Sequence, residues 1–134
     1  MMRLREFSRQ NSGATAVEFA FTAPLFIALV FAVIESGLAL WTQFGLEHGV
    51  EVAARCASIN TATCSSASTT AAYAANNAFG LSIPQSAFTV STQTCGFQVD
   101  ASYNYSYFTK YFGVPTVNLT AKACYPAYGL AQFH

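Results

Sequence analysis

The residues able to do chemistry are few, and they are grouped. Gly13 and Glu18 lie in the stretch Ser12-Gly-Ala-Thr-Ala-Val-Glu-Phe19, and a second acid, Glu35, follows at the far end of an apolar run. A carboxylate at the edge of an apolar segment is costly unless it is paired, so these acids are suited to neutralising a partner charge. Glu18 also falls where a helix would begin, and a negative charge there suits the helix dipole. Solvation at headgroup level is its plain alternative. Glu35 has two open readings, contact with a basic group on a partner or placement at the outer interface. Lipid could also keep it protonated.

Four cysteines, Cys56, Cys64, Cys95 and Cys124, all follow the apolar run. An even number confined there points to disulfides, with three possible connectivities. Pairing Cys56 with Cys64 would tie a loop to a helix end, and pairing Cys95 with Cys124 would join two strands; this is the favoured arrangement. A metal site lacks support, since no pair has C-x-x-C spacing and His48 is the only internal histidine. Hydrolytic chemistry fares no better. Asp100 is the only carboxylate in the C-terminal half, so no acid pair exists there. His48 lies between Glu47 and Glu51, far in sequence from any obvious nucleophile. No glycine-rich phosphate loop occurs. Neither an enzyme nor a cofactor is expected. The sequons at Asn104-Tyr-Ser and Asn118-Leu-Thr are taken as chance.

The element that carries the two acids must be a helix. No residue from Phe19 to Ile34 is charged, and apolar character continues through Leu38, Leu40 and Trp41. About 20 apolar residues cross a bilayer core, so residues 19–41 suffice if Glu35 is accommodated. Lipid offers the backbone no hydrogen-bonding partner, which requires a helix. Arg3, Arg5 and Arg9 precede the span, opposed only by Glu6. The positive-inside rule then places the N-terminus in the cytoplasm and the rest outside. Trp41 falls where an interfacial aromatic belongs. A conventional cleavable signal would have an apolar region of roughly 7–15 residues, shorter than this one. Pro24 is expected to kink or locally unwind the helix without breaking it.

The helix should run on. Leu46, Val50 and Ala54 share one face, while Gly45, Gly49, Ala53 and Ala57 recur every fourth residue. Such a small-residue ridge allows close helix approach, either to neighbouring subunits or, the simpler reading, to the chain's own outer domain. Glu51 and Arg55 have the spacing of an ion pair worth a few tenths of a kcal/mol. A helix over residues 14–57 would be roughly 65 Å long.

An Ala/Ser/Thr-rich loop follows, with Asn60 and Ser65–Ser68. A short helix is predicted from Thr70 to Phe79, capped by Thr69 or Thr70 and stopped by Gly80. Alternating runs at 87–94, 96–107 and 116–124, rich in Val, Thr, Tyr and Phe, predict a small antiparallel sheet packed on the outer half of the long helix. Tyr103, Tyr105 and Tyr107 share a strand face, with Phe108, Tyr111 and Phe112 beyond. They suit either an adhesive or subunit-contact patch or, ahead of it, ordinary packing.

Composition supports this layout. Charged residues make up 9%, hydrophobic residues 53% and aromatic residues 15%, with zero formal net charge. That is too apolar for a disordered chain and too poor in charge for an ordinary cytosolic domain. No basic stripe is present for nucleic acid. The expected class is α+β, with a basic leader (1–13), a long transmembrane and assembly helix (14–58), and a small disulfide-bonded extracytoplasmic domain (59–134).

The pattern Gly13-Ala-x-Ala-Val-Glu-Phe-Ala20, Pro24-Leu-Phe26, Ile34-Glu-x-Gly37 and Ala53-Ala-Arg55 resembles the TadE/TadG-like minor pseudopilins of the tight-adherence (Flp, type IVb) pilus. The resemblance runs from about Ser12 to Arg55. It implies a pilin-like fold and cleavage by a prepilin peptidase between Gly13 and Ala14, with Glu18 and Phe19 completing the processing motif. It implies that Glu18 neutralises the new N-terminus as subunits pack, and that an acid near Glu35 is expected. The implied partners are the peptidase, other pilin-like subunits, membrane lipid and an inner-membrane assembly platform. The implied location is the bacterial inner membrane with a periplasmic C-terminal domain, and incorporation into an extracellular pilus. The alternative is a bitopic protein with an uncleaved signal anchor and a periplasmic binding domain.

Overall fold

The computed structural model describes residues 12–108, 113 and 116–127. The leader arginines, Tyr111 and Phe112 lie outside them. Helix α1 covers Ser12–Ile59 and α2 Ala67–Asn76; a short 3-10 turn at Gln85–Ala87 leads into strands β1 (Phe88–Gln93), β2 (Gly96–Tyr105) and β3 (Val117–Tyr125). The class is α+β, and the chain divides into two units, one ending at Ser36 and one starting at Gly37.

In the first unit α1 has no face to bury. Phe19, Phe21 and Leu25 are each more than 70% exposed, and the most apolar stretch has none of its residues buried within the chain. A helix apolar all round and unburied is what a hydrocarbon environment selects. The hydroxyls inside the apolar run are hidden by back-bonding. Thr22 Oγ1 donates to the Glu18 carbonyl at 2.8 Å, and Ser36 Oγ to the Ala32 carbonyl at 2.7 Å. Neither then needs water. α1 carries through Pro24 without a break. Losing one intrahelical bond there is tolerated because the flanking turns are intact.

The second unit is built around one stripe of α1. Ala39, Thr42, Leu46, Val50, Ala53 and Ala57 are buried, at spacings of three and four. They recur near the helical period, so they form one face. Leu46, Val50, Ala53 and Ala54 pack with Ala71 and Ala74 of α2, with Ala78 just beyond it, and with Phe88, Val99 and Ala101 of the sheet. Phe97 closes a smaller cluster with Cys56, Ala57 and Cys64. Each fully buried large side chain stabilises the unit by about 1.5–3 kcal/mol.

The sheet is an antiparallel meander in the order β1-β2-β3. Phe97, Val99 and Ala101 point inward. Gln98, Asp100, Ser102 and Asn104 face away, following the period of two. On the outer face Asn118 Nδ2 donates to Ser102 Oγ and to Asn104 Oδ1 at 3.0 Å for the latter.

Helix α2 differs from expectation. It begins three residues earlier, because Ser66 and not Thr69 or Thr70 is the N-cap. Thr69 N–H donates to Ser66 Oγ and Ser66 N–H donates to Thr69 Oγ1, a reciprocal capping box. It ends at Asn76, before Phe79, as Asn77 Nδ2 takes the Tyr73 carbonyl at 2.8 Å. The Glu51–Arg55 pair is not formed. Lys122 and Asp100 form an ion pair at 3.6 Å on the outer sheet face, which contributes little.

Gly49 marks where α1 and α2 come closest. A Cβ there would lie 2.9 Å from the Ala74 backbone oxygen. Gly49→Ala should therefore push α2 away and cost about 1–3 kcal/mol. Chemical denaturation of the full chain in detergent measures this. An unchanged midpoint would mean that α2 shifts freely.

Candidate functional site

Gly13 and Ala14 lie in the first turn of α1, both exposed. Apart from its chain neighbours and its own stretch of helix backbone, no described residue comes within 4 Å of a Cβ built on Gly13. Glu18 is exposed and makes no ion pair among the described residues. Phe19, beside it, is 71% exposed. Glu35 is half-buried and engaged within the chain. The two acids belong to one helix and are separated by the whole apolar run, so they act separately.

Among the described residues no cluster of His, Cys, Asp or Glu could hold a metal. The four cysteines are spent otherwise. Cys56 is joined to Cys64 and Cys95 to Cys124, with Cα separations of 5.9 and 6.3 Å. The first bridge fixes the end of α1 to the loop before α2. The second ties the β1–β2 turn to β3. Ser58 Oγ adds a short hydrogen bond to the Pro126 carbonyl.

The small-residue ridge is consumed internally. Gly45, Gly49, Ala53 and Ala57 are all buried, and Gly45 and Gly49 lie against the backbone of Ala78 and Ala74. Tyr103 packs against the core, and Tyr105 meets Tyr107 edge to face at 5.3 Å. The tyrosine face is thus largely packing.

One group escaped the sequence reading. Phe79 follows α2 with φ +49°, and Gly80 follows it at +70°. A bulky residue in the left-handed region costs roughly 1–2 kcal/mol. Its ring stacks on His48 at 4.6 Å and tilts against Trp41 at 5.7 Å, yet Phe79 remains 48% exposed and Trp41 54%. Gly80 is the available signal: beyond following the helix, it forms the second half of a left-handed corner.

Taken together, these features define a protein with one candidate membrane helix and a small disulfide-bonded α+β domain. The sequence profile of the TadE-like protein family matches residues 13–55, roughly a third of the chain. That segment is TadE-like, consistent with a TadE/TadG-like protein of the tight-adherence system. No curated protein and no solved structure matches the chain.

The two bridges should differ in weight. Cys95–Cys124 spans 29 residues and Cys56–Cys64 only 8. Loop-closure entropy gives about 3.5 and about 2.5 kcal/mol respectively. Paired Cys→Ser variants at each bridge, compared by thermal unfolding, should show the larger loss at 95 and 124.

Proposed function

We propose that this chain is a minor pilin or pseudopilin that takes part in assembling a tight-adherence pilus, and so in surface attachment. The observation that carries the reading is the TadE-like match, which begins at Gly13 and covers the apolar helix. Prepilin peptidase removes residues 1–13 and frees the amine of Ala14. Glu18, exposed and without an ion pair among the described residues, then neutralises the new N-terminus of a neighbouring subunit. Such a device favours one register of packing, since an unpaired carboxylate in lipid is costly. The unburied apolar face of the first unit supports burial among lipid and other pilin-like helices. The arginines of the leader hold the N-terminus in the cytoplasm, the outer domain is periplasmic, and an inner-membrane platform drives assembly.

The intact mass of membrane-extracted protein, made with and without a prepilin peptidase, tests the cut. Loss of residues 1–13 only with the peptidase is the expected result. A full-length chain in both preparations would mean an uncut signal anchor. Gly13→Leu should block processing. Glu18→Ala should leave membrane insertion intact and reduce pilus assembly at least tenfold, the effect of about 1.4 kcal/mol lost in subunit addition; normal pili in that variant would remove the registry role.

A further inference from the structure

Phe79, at the corner, is not part of the buried core. Its backbone is held in a conformation that costs a bulky residue free energy, while about half of the side chain stays exposed. Strain that does not serve the core is a pointer to function. The ring is held in place, stacked on His48 and set against Trp41. Phe44, on the same side of α1 by helical spacing, is 59% exposed. The result is an open aromatic patch on a domain whose other exposed sheet face is polar.

Its position identifies the occupant. Gly49 lies against Ala74 and Gly45 against Ala78, so α2 runs antiparallel to this part of α1. Its last residues, and Phe79 after them, therefore lie toward Gly37, where the outer unit begins. Trp41 also closes the apolar run of residues 19–41 in the sequence, at the depth where a spanning segment meets headgroups. Aromatic rings with an apolar body favour that layer. Neither Lys nor Arg is part of the patch, so the attraction is to the apolar–polar boundary and not to anionic lipid.

We infer that Phe79, with Trp41 and Phe44, is an interfacial foot that seats the outer domain on the lipid headgroup layer. The inference rests on the reading of α1 as a membrane span. The foot holds the domain in a fixed stance against the bilayer before the subunit leaves it. His48 braces the ring from behind and is a positioning residue.

The chain has a single tryptophan, so the site can carry its own probe. The double variant Trp41→Phe/Phe79→Trp, full length, would be reconstituted at high lipid-to-protein ratio into zwitterionic vesicles, plain or brominated near the headgroup end of the acyl chains. Flotation with the vesicles, blue-shifted emission and quenching by the shallow bromines are expected. Flotation with solvent-like, unquenched emission overturns the foot and leaves the span standing. A blue shift that appears only in crowded vesicles and ignores bromine means the ring meets a second copy, which also overturns it. Failure to float removes the span and the foot together. Phe79→Gly should relieve the backbone and leave the melting midpoint equal or higher; a clear drop would show that the ring supports the core.

Discussion

The close approach of α1 to α2 at Gly49, and to Ala78 just beyond α2 at Gly45, is the contact on which the outer unit depends. With no side chain at these positions, one backbone lies almost against the other. That distance lets small alanines on α2 complete the core, where larger residues would be needed across a wider gap. It also fixes the height of α2 along α1, hence the corner at Phe79 and the start of β1 beyond it. The sheet then has a defined floor, and Phe88, Val99 and Ala101 settle onto Leu46 and Val50. The same ridge could not serve an intermolecular helix contact while it is occupied in this way.

The first unit obeys the opposite rule. Among the described residues its most apolar stretch has none buried, and its hydroxyls satisfy themselves on their own helix. It is a candidate membrane anchor. One continuous helix thus contains a segment specified by internal packing and a segment specified by surroundings. The TadE-like match spans both, from Gly13 to Arg55.

Much of this was legible in the sequence, for identifiable reasons. Period-two runs of Val, Thr, Tyr and Phe placed three strands within two residues of their positions, because one face of each has to be apolar. The long helix followed from an apolar run that no strand could use. The ends of α2 were not legible. Ser66 and Thr69 both have capping side chains, and only the reciprocal pair of hydrogen bonds decides between them. Glu51 and Arg55 have pairing spacing, but exposed side chains gain too little from pairing to be held there. The left-handed Phe79 was invisible because propensity argues against it, and strained residues are where local rules fail. At the N-terminal site the motif was plain in residue types alone, and what lies around Gly13 and Glu18 adds accessibility but no new partner.

The two disulfides also set how the domain answers to force. A domain pulled from its two ends normally lengthens as its chain is drawn straight. Here residues 57–63 and 96–123 lie inside closed covalent loops. About 35 residues, roughly 120 Å of contour, are thereby withheld from any extension. Tension could peel the sheet from the helix and draw out the 30 residues between the bridges, 65–94, but not those inside the two loops. The domain would behave as a tether of limited stretch, keeping its parts near enough to refold when the load falls.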